Sequence, residues 1–542
     1  MVVKHCVFIV VILLNYTLFS QTKFSKQDTL RGSVTPERSW WDVKRYDLEI
    51  EPFYSKQKIT GRNTVTFFTI RPGQKMQIDL QEPMELDSVI FAEEKTTIER
   101  IHNVYYLVFE NELLEDKIYE ITLYFSGKPR KAINAPWDGG WIWSKDTNGN
   151  PWMTVACQGL GASSWYPCKD HQSDEPDLGA KISIKVPSDF VAVSNGKFVG
   201  KKEIANNKTI YYWEVKNPIN AYNIVPYIGK YVHWSDYYMG EKGKLLLDYW
   251  VLEGNLDRSK KQFEQVKSML SCFEKWFGPY PFYGDGYKLV ESPHLGMEHQ
   301  SAIAYGNKYK NGYEGSDLSQ SGTGHKWDFI IVHESGHEWF GNSITSKDIA
   351  DMWIHEAFTS YSEVLYTECL FGKEAANNYL IGIRNRIKND VPIIATYGIN
   401  QEGSGDMYFK GSNLIHIIRQ LLNDEVQFQN LLREINKKFY HQTITSTQLE
   451  RFILEETSLP LEKVFDQYLR TTQIPTLEIK SIGDGFQYRW VNCVSGFAMK
   501  VRNSKGHWIS PTEEWSVVTK WPVDFGEQLF DHLFYIKQTR IQ

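Results

Sequence analysis

The sequence predicts an α+β multidomain chain: a β-sheet domain at the N-terminus, a mainly helical middle and a short β-rich C-terminal domain. Three observations predict it. The length of 542 residues exceeds what one hydrophobic core serves, so about three domains are expected. Period-2 alternation dominates from about residue 41 to 234, gives way to helical spacing near 255, and returns as short β segments after about 474. Hydrophobic residues make up 42% and aromatics 14% of the chain, enough for packed interiors and too much for disorder.

The segments follow in order. Residues 1–20, "MVVKHCVFIVVILLNYTLFS", carry one lysine, an apolar run from Cys6 to Leu14 and the small Ser20, the pattern of a signal peptide. That run is shorter than the ~20 residues a spanning helix needs, so a periplasmic or secreted protein with no stable membrane span after signal removal is expected. Residues 21–38 are expected as a linker. In 39–235 the stretches "RYDLEIEP", "TVTFFTI", "YEITLYF", "AKISIKVP" and "TIYYWEV" alternate as half-buried strands do. In 236–472 Phe263, Val266, Leu270, Phe273 and Phe277 fall three or four apart before Gly278-Pro279, and "SNLIHIIRQLL" and "STQLERFILEE" continue the helical pattern. In 473–542, "TLEIKSI", "FQYRWVN", "FAMKVRN" and "LFYIKQT" read as strands.

Charge and cysteine content exclude several functions. The formal charge of -6 and the lack of a basic run interleaved with aromatics argue against a nucleic-acid partner. After signal removal Cys157, Cys168, Cys272, Cys369 and Cys493 remain, too dispersed for a disulfide scaffold or a cysteine zinc site, although one bridge is compatible with export.

The chemistry concentrates in "HESGHEWFGN", residues 333 to 342. Histidines four apart on a helix face the same way, so His333 and His337 can grip one metal ion while Glu334 stands beside it, where an activated water sits. Single-zinc hydrolases use three protein ligands. Glu356, after eighteen intervening residues, lies on a helix-compatible stretch beyond a turn and supplies a third. Glu363, seven residues on and on the same helical face, either orients a ligand histidine from behind or is a structural glutamate.

These residues, with the flanking "EWFGN" and "YSE", resemble the gluzincin aminopeptidases, the family of aminopeptidase N and leukotriene hydrolase. Three more stretches match. "LGMEH" resembles the family's exopeptidase motif and so implies that Gly296, Met297 and Glu298 bind substrate, with Glu298 on its α-ammonium. "MYFKGSNLIHIIR" implies Tyr408 as the phenol that stabilises the oxyanion, and "ACQGLGASSWYPC" implies Gln158 as a second amine contact. The resemblance further implies a thermolysin-like catalytic domain over 236–472, a small β-sandwich over 473–542, one zinc ion per chain, and peptide substrates with a free N-terminus. The family's long C-terminal helical domain has no counterpart in the 70 or so residues that follow.

Departures from the family pattern mark this chain. Leu295 and His299 replace a glycine and an asparagine, and His355 and Ala357 flank Glu356, all expected to reshape the pocket for the first side chain. Trp137, Trp141 and Trp143 in "APWDGGWIW" either wall that pocket or bury themselves between domains. The alternatives to a zinc aminopeptidase are a zinc endopeptidase, disfavoured by Glu298; an epoxide hydrolase, disfavoured by the missing helical domain; and a metal-free peptide-binding relative, disfavoured by the joint presence of His333, Glu334, His337, Glu356 and Tyr408.

Overall fold

The computed structural model describes residues 24–541 apart from 93–94, 483–484, 504–505 and 519–529, so the expected signal peptide lies outside the described residues. Among the described residues no helix is long and apolar enough to cross a membrane.

Alternation in the first region becomes a seven-stranded sheet in the order 197–204, 208–215, 180–187, 41–53, 58–69, 118–127 and 84–91. In strand Lys58–Thr69 the residues Ile59, Val65 and Phe67 turn to one face and are fully buried there. A four-stranded sheet (191–193, 227–229, 151–156, 140–145) completes the support of the cleft, because its strand Pro151–Ala156 leads straight into the loop carrying Gln158.

The stretch expected as a linker contains a helix, Lys26–Gly32. Ser25 and Asp28 form a capping box at its start, and the helix is tied down at both sides. Arg31 Nη2 donates to Gly159 O at 2.9 Å, and Asn400 N donates to Asp28 O at 3.2 Å. The segment thus straps a loop of the β-rich region to a loop of the helical one.

The expected boundary at 235/236 falls inside strand Tyr231–Gly240. Its antiparallel pairing with Gly243–Leu252 makes it part of the next sheet, ordered 231–240, 243–252, 287–291, 303–305 and 296–297. The last strand, Gly296–Met297, is an edge, paired only to Ile303–Tyr305 among the described residues. Helix Gln265–Phe277 ends at Gly278, whose φ of 93° needs glycine's freedom, and Phe263 sits in the break after a shorter helix, Leu256–Gln262. Helices Phe329–Gly336, Trp353–Phe371 and Asp406–Leu422 then pack on one another, the middle one between the other two. A disulfide joins Cys272 to Cys369 with a Cα–Cα distance of 6.2 Å, pinning helix Gln265–Phe277 to the end of Trp353–Phe371.

The C-terminal strands form a four-stranded sheet, in the order 516–518, 485–491, 476–482 and 537–541, and a two-stranded one. "FAMKVRN" alternates in burial, with Phe497, Met499 and Val501 buried and Ala498 and Lys500 exposed, but within it only Val501–Arg502 is a paired strand. Leu477, Trp490 and Phe534 share one buried cluster with Leu414 and Leu469 of the helices, so this sheet is packed onto the helical region.

Candidate active site

Asp328 caps helix Phe329–Gly336 by accepting from Ile330 N at 3.1 Å and Ile331 N at 3.3 Å. His333 and Glu334 lie within this helix. His337 is the residue after its end but keeps helical dihedrals (φ -63°, ψ -20°), so it still faces the same way as His333. The chain then reverses through the short strand Ile344–Ser346 and enters helix Trp353–Phe371, whose first turn carries Glu356 and whose third carries Glu363.

This reversal brings three donor atoms together. Glu356 Oε2 lies 3.6 Å from His333 Nε2 and 3.4 Å from His337 Nε2, and the two Nε2 atoms are 3.3 Å apart. The other ring nitrogens are engaged: His333 Nδ1 meets Glu363 Oε1 at 2.7 Å, and His337 Nδ1 meets Phe340 O at 3.0 Å. Protons held on Nδ1 leave the Nε2 lone pairs directed at one point. Glu363 is itself fixed by Tyr379 Oη at 2.6 Å.

Such a set fits a cation. Glu356 Oε2 is buried without a hydrogen-bond partner, and two imidazole nitrogens with one carboxylate oxygen form the donor set of a zinc hydrolase. The electrostatics agree. Burial alone would lower the His337 imidazole, but the Glu356 and Glu298 carboxylates outweigh it and push it up to about 9. Burial alone would raise Glu356, yet the neighbouring histidines hold it far below the usual carboxylate range. The pocket stabilises positive charge, and a metal ion would take the place of protons there.

Further residues complete the site. Glu334 faces the cleft, and burial pushes its carboxyl up to about 7 against the pull of both imidazoles. A Cβ on Gly296 would stand 2.6 Å from Glu334 Oε1 and 2.9 Å from Ile330 Cγ2, so a side chain here would displace the Glu334 carboxylate. Tyr408 Oη donates to Glu356 Oε1 at 2.9 Å, and its ring stacks on His333 at 5.9 Å. Burial, then the nearby carboxylates, raise this phenol well above its ordinary range, so it stays protonated. Glu298 Oε1 accepts from Gln158 Nε2 and, at 3.1 Å, from Tyr222 Oη.

All these groups except Tyr222 line a cleft of about 470 Å³, together with Gly296 and Met297. Two neighbours of the site, Tyr222 and Glu402, escape reasoning from sequence. Tyr222 comes from a three-residue turn in the β-rich region, with no local pattern to reveal it. Glu402 comes from the loop "NQEGSGD" before Tyr408, where an acidic residue among glycines and serines is the available signal. Glu402 is open to solvent along the cleft, but the surrounding walls, then Glu356 and Glu298, push its carboxyl up to about 6.

The pocket differs from expectation in several places. Of the four departures only Leu295 lines the cleft. His299 is turned away onto Tyr227 Oη at 2.5 Å, His355 Nε2 accepts from Ser346 N at 2.9 Å, and Ala357 is buried where a Cβ on Gly411 would stand 2.6 Å from its own. Trp141 and Trp143 do not wall the cleft either. Both lie on strand Gly140–Lys145, two residues apart and hence on one face, and pack in the core of the β-rich region, 5.3 Å from each other and with Trp165 5.6 Å from Trp141. Trp137, in the turn before that strand, is 65% exposed and does line the cleft. Accordingly Trp137→Ala should change the ranking of substrates by about 1–3 kcal/mol in kcat/KM with little change in Tm. Trp141→Ala should instead cost about 3–5 kcal/mol of stability, read by denaturant unfolding.

Known proteins share this arrangement of domains. The Peptidase M1 N-terminal domain matches residues 43–223, and the Peptidase family M1 domain matches 261–468. "Probable aminopeptidase 1" of Sulfurisphaera tokodaii is 22% identical over 469 residues, covering 82% of this chain and 55% of that protein. "Leukotriene A-4 hydrolase" of Xenopus laevis is 24% identical over 333 residues, covering 58% of this chain and 51% of that protein. The chain therefore spans about half the length of the curated relatives it matches. An M1 zinc metallopeptidase from Deinococcus radiodurans shares the fold with a TM-score of 0.69 at 19% identity, covering 81% of this chain and 95% of that one. With both family domains matched in their family order, and the two helices that carry His333, His337 and Glu356 inside the second, the chain belongs to peptidase family M1.

Proposed function

We propose that the chain is a zinc-dependent aminopeptidase that removes the first residue from peptides with a free N-terminus. The observation that carries this reading is the buried Glu298 carboxylate. One of its carboxylate oxygens lies within 4.8 Å of a carboxylate oxygen of Glu334 and a ring nitrogen of His337, so an ammonium held there leaves about one residue's length before the three-donor site. Glu402 adds a further negative charge on the same side.

His333 Nε2, His337 Nε2 and Glu356 Oε2 would hold the zinc. When bound, it supplies Lewis acidity that polarises the peptide carbonyl and acidifies a water molecule. Glu334 takes the proton of the attacking water on its carboxylate and returns it to the departing amine nitrogen, for which a carboxyl raised by burial is suited. Tyr408 turns its hydroxyl from Glu356 to the oxygen that gains charge, a neutral donor that adds no charge of its own. Glu298, Gln158 and Tyr222 fix the substrate amine, and Gly296–Met297 offers a free strand edge to its backbone.

The finer architecture belongs to the same proposal: a thermolysin-like arrangement of the helices around the site and a β-sandwich at the C-terminus. So does export to the periplasm or the medium. The Cys272–Cys369 bridge supports an oxidising compartment. One zinc per chain is expected by elemental analysis of the purified protein, with activity on aminoacyl-fluorophore amides lost on chelation and regained with zinc. Full activity after complete metal removal would sink the proposal.

A further inference from the structure

We propose that Arg386 receives the C-terminal carboxylate of short peptides, so that the cleft reads both ends of its substrate; this rests on the aminopeptidase reading above. Five glutamates line the cleft, Glu298, Glu334, Glu356, Glu363 and Glu402, and Arg386 is the one lysine or arginine among the described residues that line it.

The guanidinium is held at one nitrogen. Its Nε donates to Leu318 O at 3.1 Å, while the residue is exposed, lines the cleft, and has terminal nitrogens that take part in no ion pair or hydrogen bond among the described residues. Arg384, two residues earlier, is consumed structurally: its Nε donates to Asn413 Oδ1 at 2.6 Å and its Nη2 to Leu533 O at 3.1 Å. A guanidinium held by Nε presents its remaining N–H groups as a fork, the shape that matches a carboxylate.

Position supplies the direction. Glu298 follows the edge strand Gly296–Met297 and Leu295 precedes it, so a peptide whose amine sits at Glu298 runs past Leu295 toward the wall formed by Tyr313, Leu318 and Phe329. That wall leads away from the three-donor site in two ring-to-ring steps, 5.2 Å from His333 to Phe329 and 5.3 Å from Phe329 to Tyr313. Arg386 lies close enough to Tyr313 for its charge to act on that phenol. An extended chain advances about 3.3–3.6 Å per residue, so about two or three residues beyond the scissile bond reach it. The apolar wall suits uncharged side chains in between. The substrate class this describes is the tri- or tetrapeptide with a free carboxylate, a late product of protein breakdown by endopeptidases.

The test compares Ala-Ala-Ala and Ala-Ala-Ala-Ala with their C-terminal amides on the zinc-loaded protein. The wild type is expected to favour the free acids by about tenfold or more in kcat/KM, the scale of a charge-assisted bidentate pair. In Arg386→Gln the acid-to-amide ratio should fall to within about twofold of one, and Arg386→Lys should retain part of it. Ala-Ala-Glu amide separates a terminal carboxylate from a side-chain one, and it should be cleaved no better than Ala-Ala-Ala amide. Equal wild-type rates on acid and amide overturn the proposal. So does a preference for acids that survives in Arg386→Gln, or a preference met by the glutamate side chain alone. Wild-type turnover of an aminoacyl-fluorophore amide, which has no carboxylate, tests the aminopeptidase reading separately.

Discussion

Glu334→Gln is expected to keep its zinc and lose turnover by roughly 10²–10⁴-fold in kcat, the range contributed by a positioned proton acceptor. Glutamine fills the space of the carboxylate, so the close approach to Gly296 is preserved. His333, His337 and Glu356, the three donors that converge, are untouched by the change. What disappears is the ability to accept a proton from water and hand it to the leaving nitrogen. Metal content by elemental analysis, kcat and KM on one aminoacyl-fluorophore amide separate the roles. A variant that lost its zinc would make Glu334 a determinant of metal binding, and one that changed only KM would remove it from the chemistry.

The second large effect concerns the amine. Wild-type protein should cleave a free-amine substrate about 10²-fold or more faster than its N-acetylated twin, because Glu298 is a buried carboxylate whose match is a cation. Acetylation removes the charge and leaves the carboxylate desolvated and unpaired. Glu298→Ala should erase most of that gap by losing activity on the free amine, with zinc content unchanged. Gln158 and Tyr222, which both donate to the same oxygen, keep the carboxylate aimed, so their truncation should weaken the preference in the same direction. Comparable wild-type rates on the two substrates would reassign the site to an endopeptidase.

Behind the donor set stands a support that acts at one remove. Tyr379 lies in the helix after the one bearing Glu363, and its hydroxyl holds the carboxylate that in turn orients His333. A chain of buried hydrogen bonds of this kind fixes the imidazole before any metal arrives, which lowers the ordering cost of binding.

Sequence by itself determined the parts of this protein that local geometry dictates. Four-residue spacing on a helix puts His333 and His337 on one face whatever surrounds them, and seven residues put Glu363 on the face of Glu356. Gly278 had to end its helix, and alternation had to make strands of 41–53 and 58–69. Tertiary structure alone decided which face meets which space. Trp141 and Trp143 share a face by strand geometry, but only the packed sheet shows that this face is the core and that Trp137 is the one left at the cleft. The same holds for Tyr222, Glu402 and Arg386: each comes from a short turn or loop, where no period exists to read. They reach the site because strands and helices far apart in sequence bring those loops to one cleft, and long-range packing is not encoded in any local window.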